Sequence, residues 1–128
     1  MAFDEMLKEL ERRRAKALAM GGSEKLAKRR ETGMLNARER LDYILDEGSF
    51  SESGLFTVSS RPEMRERTPA DGKVAGFGRI QGRDVAIVAN DFTVLGASSA
   101  TNNMKKIKHV KQVASKRGLP LIFLGEAS

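Results

Sequence analysis

The chain opens with apolar residues at Phe3, Met6, Leu7 and Leu10, separated by Asp4, Glu5, Lys8 and Glu9. That spacing is helical and predicts a helix over about Phe3 to Met20. The stripe weakens past Arg12, Arg13 and Arg14, resumes at Ala17 and Leu18, and stops at Gly21 and Gly22. A second, very polar helix is predicted from Ser23 to Gly33. Neither helix has an apolar face wide enough to build a core alone, so both are expected on the outside of something larger. A third begins at Asn36, an N-cap with Glu39 at capping-box spacing. Its apolar face is Ala37, Leu41, Ile44 and Leu45, and Gly48 is the expected stop.

The pattern then loses its helical period. Ser49 to Asp71 reads as an irregular surface loop, with a short strand expected at Leu55 to Val58. Val74 to Ile80 and Asp84 to Ala89 read as two strands joined at Gln81, Gly82 and Arg83. The second is almost free of polar residues, as expected for a strand covered on both faces. After the loop Asn90 to Ser99, Ala100 to Arg117 is a helix with Met104, Ile107, Val110, Val113 and Ala114 inward and Gly118 as its stop. Leu119 to Leu124 is a second buried strand with Pro120 at its start. Strand, loop, helix and strand make a βαβ unit, which places ligands beyond the carboxyl ends of the strands. The fold class is therefore α/β.

Composition narrows the classes of function. With 128 residues, 40% hydrophobic and 31% charged, the chain fits one small domain or the opening of a larger one. It has no cysteine, which removes disulfides, thiolate metal sites and a thiol nucleophile. No apolar stretch is long enough for a bilayer span, and no signal-peptide pattern opens the chain; a cytoplasmic location is the default. The net charge of +6 favours an anionic partner. One Tyr and no Trp give no stacking platform for single-stranded nucleic acid, and no helix-turn-helix or zinc spacing is present.

The loop after Ala89 is the first candidate for chemistry. Gly96 permits close backbone approach, Ala97, Ser98, Ser99 and Ala100 leave room, and a helix N-terminus follows. Together these would hold a phosphate, a carboxylate or a developing oxyanion. The plainer reading is a strand-to-helix turn capped by Ser98 or Ser99. The next helix carries Lys105, Lys106, Lys108, Lys111, Lys116 and Arg117 with no acid, which suits either a polyanion or a solvated face. His109, the one histidine, has no second ligand for a metal and no triad partner. Asp91 is either a catalytic carboxylate or the anchor of its own loop.

Three stretches carry more. Ala37 to Glu52 (ARERLDYILDEGSFSE), Asp71 to Ser98 (DGKVAGFGRIQGRDVAIVANDFTVLGAS) and Lys105 to Ser128 (KKIKHVKQVASKRGLPLIFLGEAS) resemble, in order and spacing, the start of the carboxyltransferase subunits of biotin-dependent acyl-CoA carboxylases. The resemblance implies a crotonase-like ββα-spiral N-domain over residues 35–128, incomplete here, preceded by a helical extension over residues 1–34. It implies transfer of CO2 from carboxybiotin to the α-carbon of an acyl-CoA, with biotin carried on a partner protein and not attached to this chain. Partners implied are the acyl-CoA, a biotin carboxyl carrier or biotin carboxylase subunit, the remainder of the carboxyltransferase, and further copies of the chain in a homo-oligomer. Nucleic acid, membrane and metal are not implied.

By motif, Phe92, Thr93, Val94, Leu95, Gly96, Ala97 and Ser98 would line the acyl-CoA pocket, with Lys106 beside them. No catalytic side chain is implied; the backbone amides near Gly96 and Ala97 would serve as oxyanion donors. Ala97 stands where the family often has a second glycine. The basic residues of the following helix, and Arg38 or Arg40, are candidates for the CoA phosphates. Ser128 would open the family's next motif, so this segment is expected to be inactive alone and to associate. A non-catalytic assembly fragment and an acyl-CoA decarboxylase subunit remain alternatives, and a polyanion-binding protein is the outlying one.

Overall fold

The computed structural model describes residues 2–126; the motif expected to open at Ser128 lies outside the described residues. Four helices and four strands follow in the order α1 (Ala2–Leu18), α2 (Ser23–Glu31), α3 (Ala37–Ile44), β1 (Ser51–Ser53), β2 (Lys73–Ile80), β3 (Arg83–Asn90), α4 (Thr101–Arg117) and β4 (Leu121–Leu124). The strands lie in the order β1-β2-β3-β4, antiparallel except for the parallel β3–β4 pair that α4 bridges. The predicted βαβ unit is thus present.

Alternation along β2 and β3 divides the core into two layers. Val74, Val85, Ile87 and Ala89 face α3 through Ala37, Leu41 and Leu45, and Met20 joins them from the α1–α2 turn. Ala75, Ala86 and Val88 face Ile107, Val110 and Ala114 of α4. β3 is buried on both faces from Val85 to Asn90, and Val85 to Ala89 is correspondingly an unbroken apolar run. α3 has the expected capping box: Asn36 Oδ1 accepts the Glu39 N–H, and Glu39 returns a bond to the Asn36 N–H.

Five local expectations are corrected. The short strand is Ser51–Ser53, not Leu55 to Val58. Gly54 takes φ 76° and Thr57 N–H closes a turn onto its carbonyl at 3.0 Å, which ends the extended run. β1 can approach β2 because Gly76 has no Cβ; one there would sit 2.1 Å from the Ser51 carbonyl. α3 stops at Ile44 rather than at Gly48, because Asp46 turns away to accept the Gln81 and Gly82 N–H groups, each at 2.8 Å, and so caps the β2–β3 hairpin. Neither Ser98 nor Ser99 caps α4. The cap is Ala100, whose N–H donates to Asn103 Oδ1 at 2.9 Å. On α4, Met104 is exposed, while Asn103 and Lys106 occupy its buried face. Finally, β4 is half covered: Ile122 and Leu124 pack on the α3 side, but Leu121 and Phe123 are exposed, because α4 lies over β2 and β3.

Candidate functional site

At the carboxyl end of β3 two strained turns lie side by side. Ala70, Asp71 and Gly72, just before β2, have φ of 52°, 48° and 71°. Leu95, Gly96 and Ala97, after β3, have φ of 47°, 60° and 58°. Four of these six are not glycine, and each such residue costs on the order of 1 kcal/mol in the left-handed region. Such turns persist only where surrounding bonds dictate them.

Those bonds come from two lysines and an asparagine buried between the turns. Lys73 Nζ donates to the Ala97 carbonyl at 2.7 Å and to Asn90 Oδ1 at 3.0 Å. Lys106 Nζ donates to the Ala70 and Lys73 carbonyls. Asn103 Nδ2 donates to the Asp71 and Ser98 carbonyls at 3.1 and 2.8 Å. Asp91 N–H adds a bond to the Gly72 carbonyl at 2.9 Å, so the two turns are also joined directly. Burial pushes the Lys73 ammonium below its ordinary value and Lys106 down to about 8, with Asp71 opposing both. Asp71 is itself pushed up by burial, against the pull of Lys106 and Lys73, and its Oδ2 is buried without a hydrogen bond.

Of the residues expected at the site, the structure brings 92–98 together with Lys106, but in different roles. Phe92, Leu95 and Ser98 are exposed; Thr93, Val94 and Ala97 are buried under them. Ala97 N–H is taken by the Val94 carbonyl at 2.9 Å and Ser98 N–H by the Leu95 carbonyl at 3.2 Å. Gly96 N–H has no acceptor among the described residues. Lys106 is buried and spends its ammonium on the Ala70 and Lys73 carbonyls, on the side of the first turn, so it does not face a ligand. Asp91 anchors its loop: its carboxylate accepts Thr93 N–H at 3.0 Å and the Thr93 hydroxyl, while burial raises its pKa against those bonds. Arg38 is engaged by Glu52 and Arg40 by Glu126. His109 is exposed on α4.

A feature that the sequence pattern did not single out adjoins this pair of turns. A cleft of about 720 Å³ runs between α1 and residues 55–70. Its apolar lining includes Leu10, Phe56, Val58 and Ala70, and its rim carries Arg12, Arg13, Lys16 and Arg65 against one acid, Glu66. Arg12 and Arg13 pair with Glu9 and Lys16 pairs with Glu66, whereas Arg65 has no ion pair among the described residues. The run Arg12 to Arg14, which only weakened the helical stripe, was the available signal. A second pocket of about 180 Å³, beside Phe77 and Arg117, lies at the far end of the sheet.

The chain has the crotonase-like fold of the carboxyltransferases. It superposes with a TM-score of 0.90 on transcarboxylase 12S solved with methylmalonyl-coenzyme A and methylmalonic acid bound, at 32% identity, covering 98% of this chain and 25% of that one. A profile of the carboxyl transferase domain matches residues 28–128, and the chain belongs to that family. It is 40% identical over 126 residues to the propionyl-CoA carboxylase beta chain of Roseobacter denitrificans, covering 96% of this chain and 25% of that relative. It is 31% identical over 124 residues to the methylmalonyl-CoA decarboxylase subunit alpha of Propionigenium modestum, covering 94% of this chain and 24% of the relative. The chain thus spans about a quarter of the length of the relatives it matches. Among the described residues no helix is long and apolar enough to cross a membrane, and no cluster of acids and histidines could hold a metal.

Proposed function

We propose that this chain is the acyl-CoA-binding part of a biotin-dependent carboxyltransferase. The observation that carries the reading is the Gly96 N–H, which has no acceptor among the described residues and stands in a strained turn that Lys73 and Asn103 hold through the Ala97 and Ser98 carbonyls. Loss of the α-proton from an acyl-CoA leaves negative charge on the thioester oxygen. A fixed backbone donor stabilises that charge without reorganising when it appears. Gly96 supplies such a donor, and Phe92 and Leu95 give apolar contact on either side of it. The cleft beside Ala70 has the volume and cationic rim for the phosphorylated nucleotide end of the same ligand, with Arg65 the free charge.

Carboxybiotin on a partner protein is the CO2 donor this reading implies. The cleft's cationic rim is assigned to the phosphate esters of the acyl-CoA, and no step is derived through biotin. Completion of the reaction belongs to the longer subunit and its partners, and assembly into a homo-oligomer is part of the same proposal. Decarboxylation is the second reading, favoured by the similarity to a methylmalonyl-CoA decarboxylase subunit. Both readings place the same thioester on the same amide.

Native mass spectra with acetyl-CoA and propionyl-CoA test the proposal. One thioester bound per chain is the expected result. No adduct at millimolar ligand would remove this segment from the binding site.

A further inference from the structure

The two N-terminal helices were expected on the outside of something larger, and the turn between them reaches the candidate ligand loop. Met20 takes φ 55° and is buried in the α3-side core, and Gly22 takes φ 100°. Between them Gly21 presses its backbone against Thr93: a Cβ there would lie 2.1 Å from the Thr93 carbonyl oxygen. Gly21 N–H donates to Thr93 Oγ1 at 2.9 Å. The Thr93 hydroxyl in turn donates a hydrogen bond to Asp91 Oδ1, which also accepts Thr93 N–H. Lys25 Nζ reaches the Thr93 carbonyl at 3.3 Å.

One helical turn further on, Arg29 completes the contact. Its guanidinium lies 5.9 Å from the centroid of the Phe92 ring, within cation–π range. The same group holds Glu126, just past β4, in a two-pronged pair at 2.9 and 2.8 Å, and donates to the Leu35 carbonyl. Arg40 of α3 closes on Glu126 as well. Phe92 and Thr93 are therefore gripped from outside by α2 and the turn before it, while Lys73 and Asn103 hold residues 97 and 98 from inside. Nothing in the packing of the sheet requires the first of these grips.

We propose that the α1–α2 turn is a positioning clamp on the candidate ligand loop, with Gly21 and Lys25 fixing Thr93 and Arg29 fixing Phe92. Its effect on acyl-CoA rests on the binding role proposed above for residues 92–98, but the clamp itself is a property of the free chain. Undocking the turn would let Phe92 swing and let the free Gly96 N–H lose its fixed direction. None of the three residues touches the thioester; they act through Thr93 and Phe92.

Amide hydrogen exchange, with propionyl-CoA titrations of the same proteins, tests the clamp. In Gly21→Ala and Arg29→Gln, exchange of the amides of 92–98 is expected to rise on the order of tenfold while α4 stays protected, because local opening is separable from global unfolding. Arg29→Lys should recover part of the protection, since it keeps the charge over Phe92. Propionyl-CoA affinity should fall about fivefold in the same two variants, a penalty for drawing on a less populated competent loop. Unchanged exchange at 92–98 in both variants overturns the clamp, even if propionyl-CoA still binds. A rise spread evenly over the sheet also overturns it, because the contacts would then be merely structural. Faster exchange confined to 92–98 in a protein that binds no propionyl-CoA upholds the clamp and sinks the acyl-CoA reading instead.

Discussion

The β2–β3 core and the pair of turns at its carboxyl end are held together by different physics. In the core, Ile87, Val88 and Val74 are fully buried in relaxed strands between α3 and α4, and water exclusion does the work. In the turns, two runs of three residues, 70–72 and 95–97, sit in the left-handed region, and buried ammonium and amide groups hold carbonyls in and beside them. The first arrangement tolerates substitutions of similar volume. The second depends on individual donors, because a buried carbonyl stripped of its partner is left unsatisfied. Stability is concentrated in one region and a defined, strained backbone geometry in the other.

The sharpest way to break this comparison is to damage each region alone. Ile87→Ala should cost about 2–5 kcal/mol in denaturant unfolding, the range for a large-to-small change in a closed core. The fraction that remains folded should keep its affinity for propionyl-CoA, read by calorimetry below the unfolding transition. Lys73→Met should cost less, about 1–3 kcal/mol for the two acceptors it strands, yet abolish most propionyl-CoA binding. If the two variants lost affinity in proportion to stability, the division between the regions would be wrong.

A pH titration sharpens the same contrast. Lys106 is pushed down to about 8 in the folded chain and returns to 10.5 on unfolding. Between those values the unfolded chain carries one proton more, so this group makes stability rise with pH from about 8 to about 10.5. The slope is about 1.4 kcal/mol per pH unit at most. Lys106→Met should reduce that rise in urea midpoints measured across the window, leaving the smaller share from Lys73, whose ammonium burial also pushes down; an undiminished rise would assign it elsewhere. The smallest expected effect is at the cleft. Arg65→Gln should weaken propionyl-CoA about threefold, as for one exposed charge, and leave the pantetheine thioester unaffected.

The regular parts of this arrangement were legible in the residues. Period-two and period-3.6 patterns located α3, β2, β3 and α4, and the Asn36–Glu39 box located the start of α3. The loop after β3 stood out as a candidate ligand loop from Gly96 and its small neighbours. What escaped was whatever depends on distant partners. Asn103 and Lys106 lie on the buried face of α4 because the carbonyls of 70, 71, 73 and 98 wait beneath them, and no local pattern announces that. For the same reason Met104 looked inward and is not. The left-handed turn at Ala70 and Asp71 carries only Gly72 as a signal. Gly21 looked like a helix stop, whereas its closeness to Thr93 is a contact across 72 residues of chain.

The most direct measurement is the amide exchange of Gly96 with and without propionyl-CoA. The account predicts that this N–H, which has no acceptor among the described residues, becomes strongly protected on ligand binding, while the already bonded Ala97 N–H changes little. Binding of propionyl-CoA with Gly96 still exchanging freely would contradict it, and the donor to the thioester would have to be sought elsewhere.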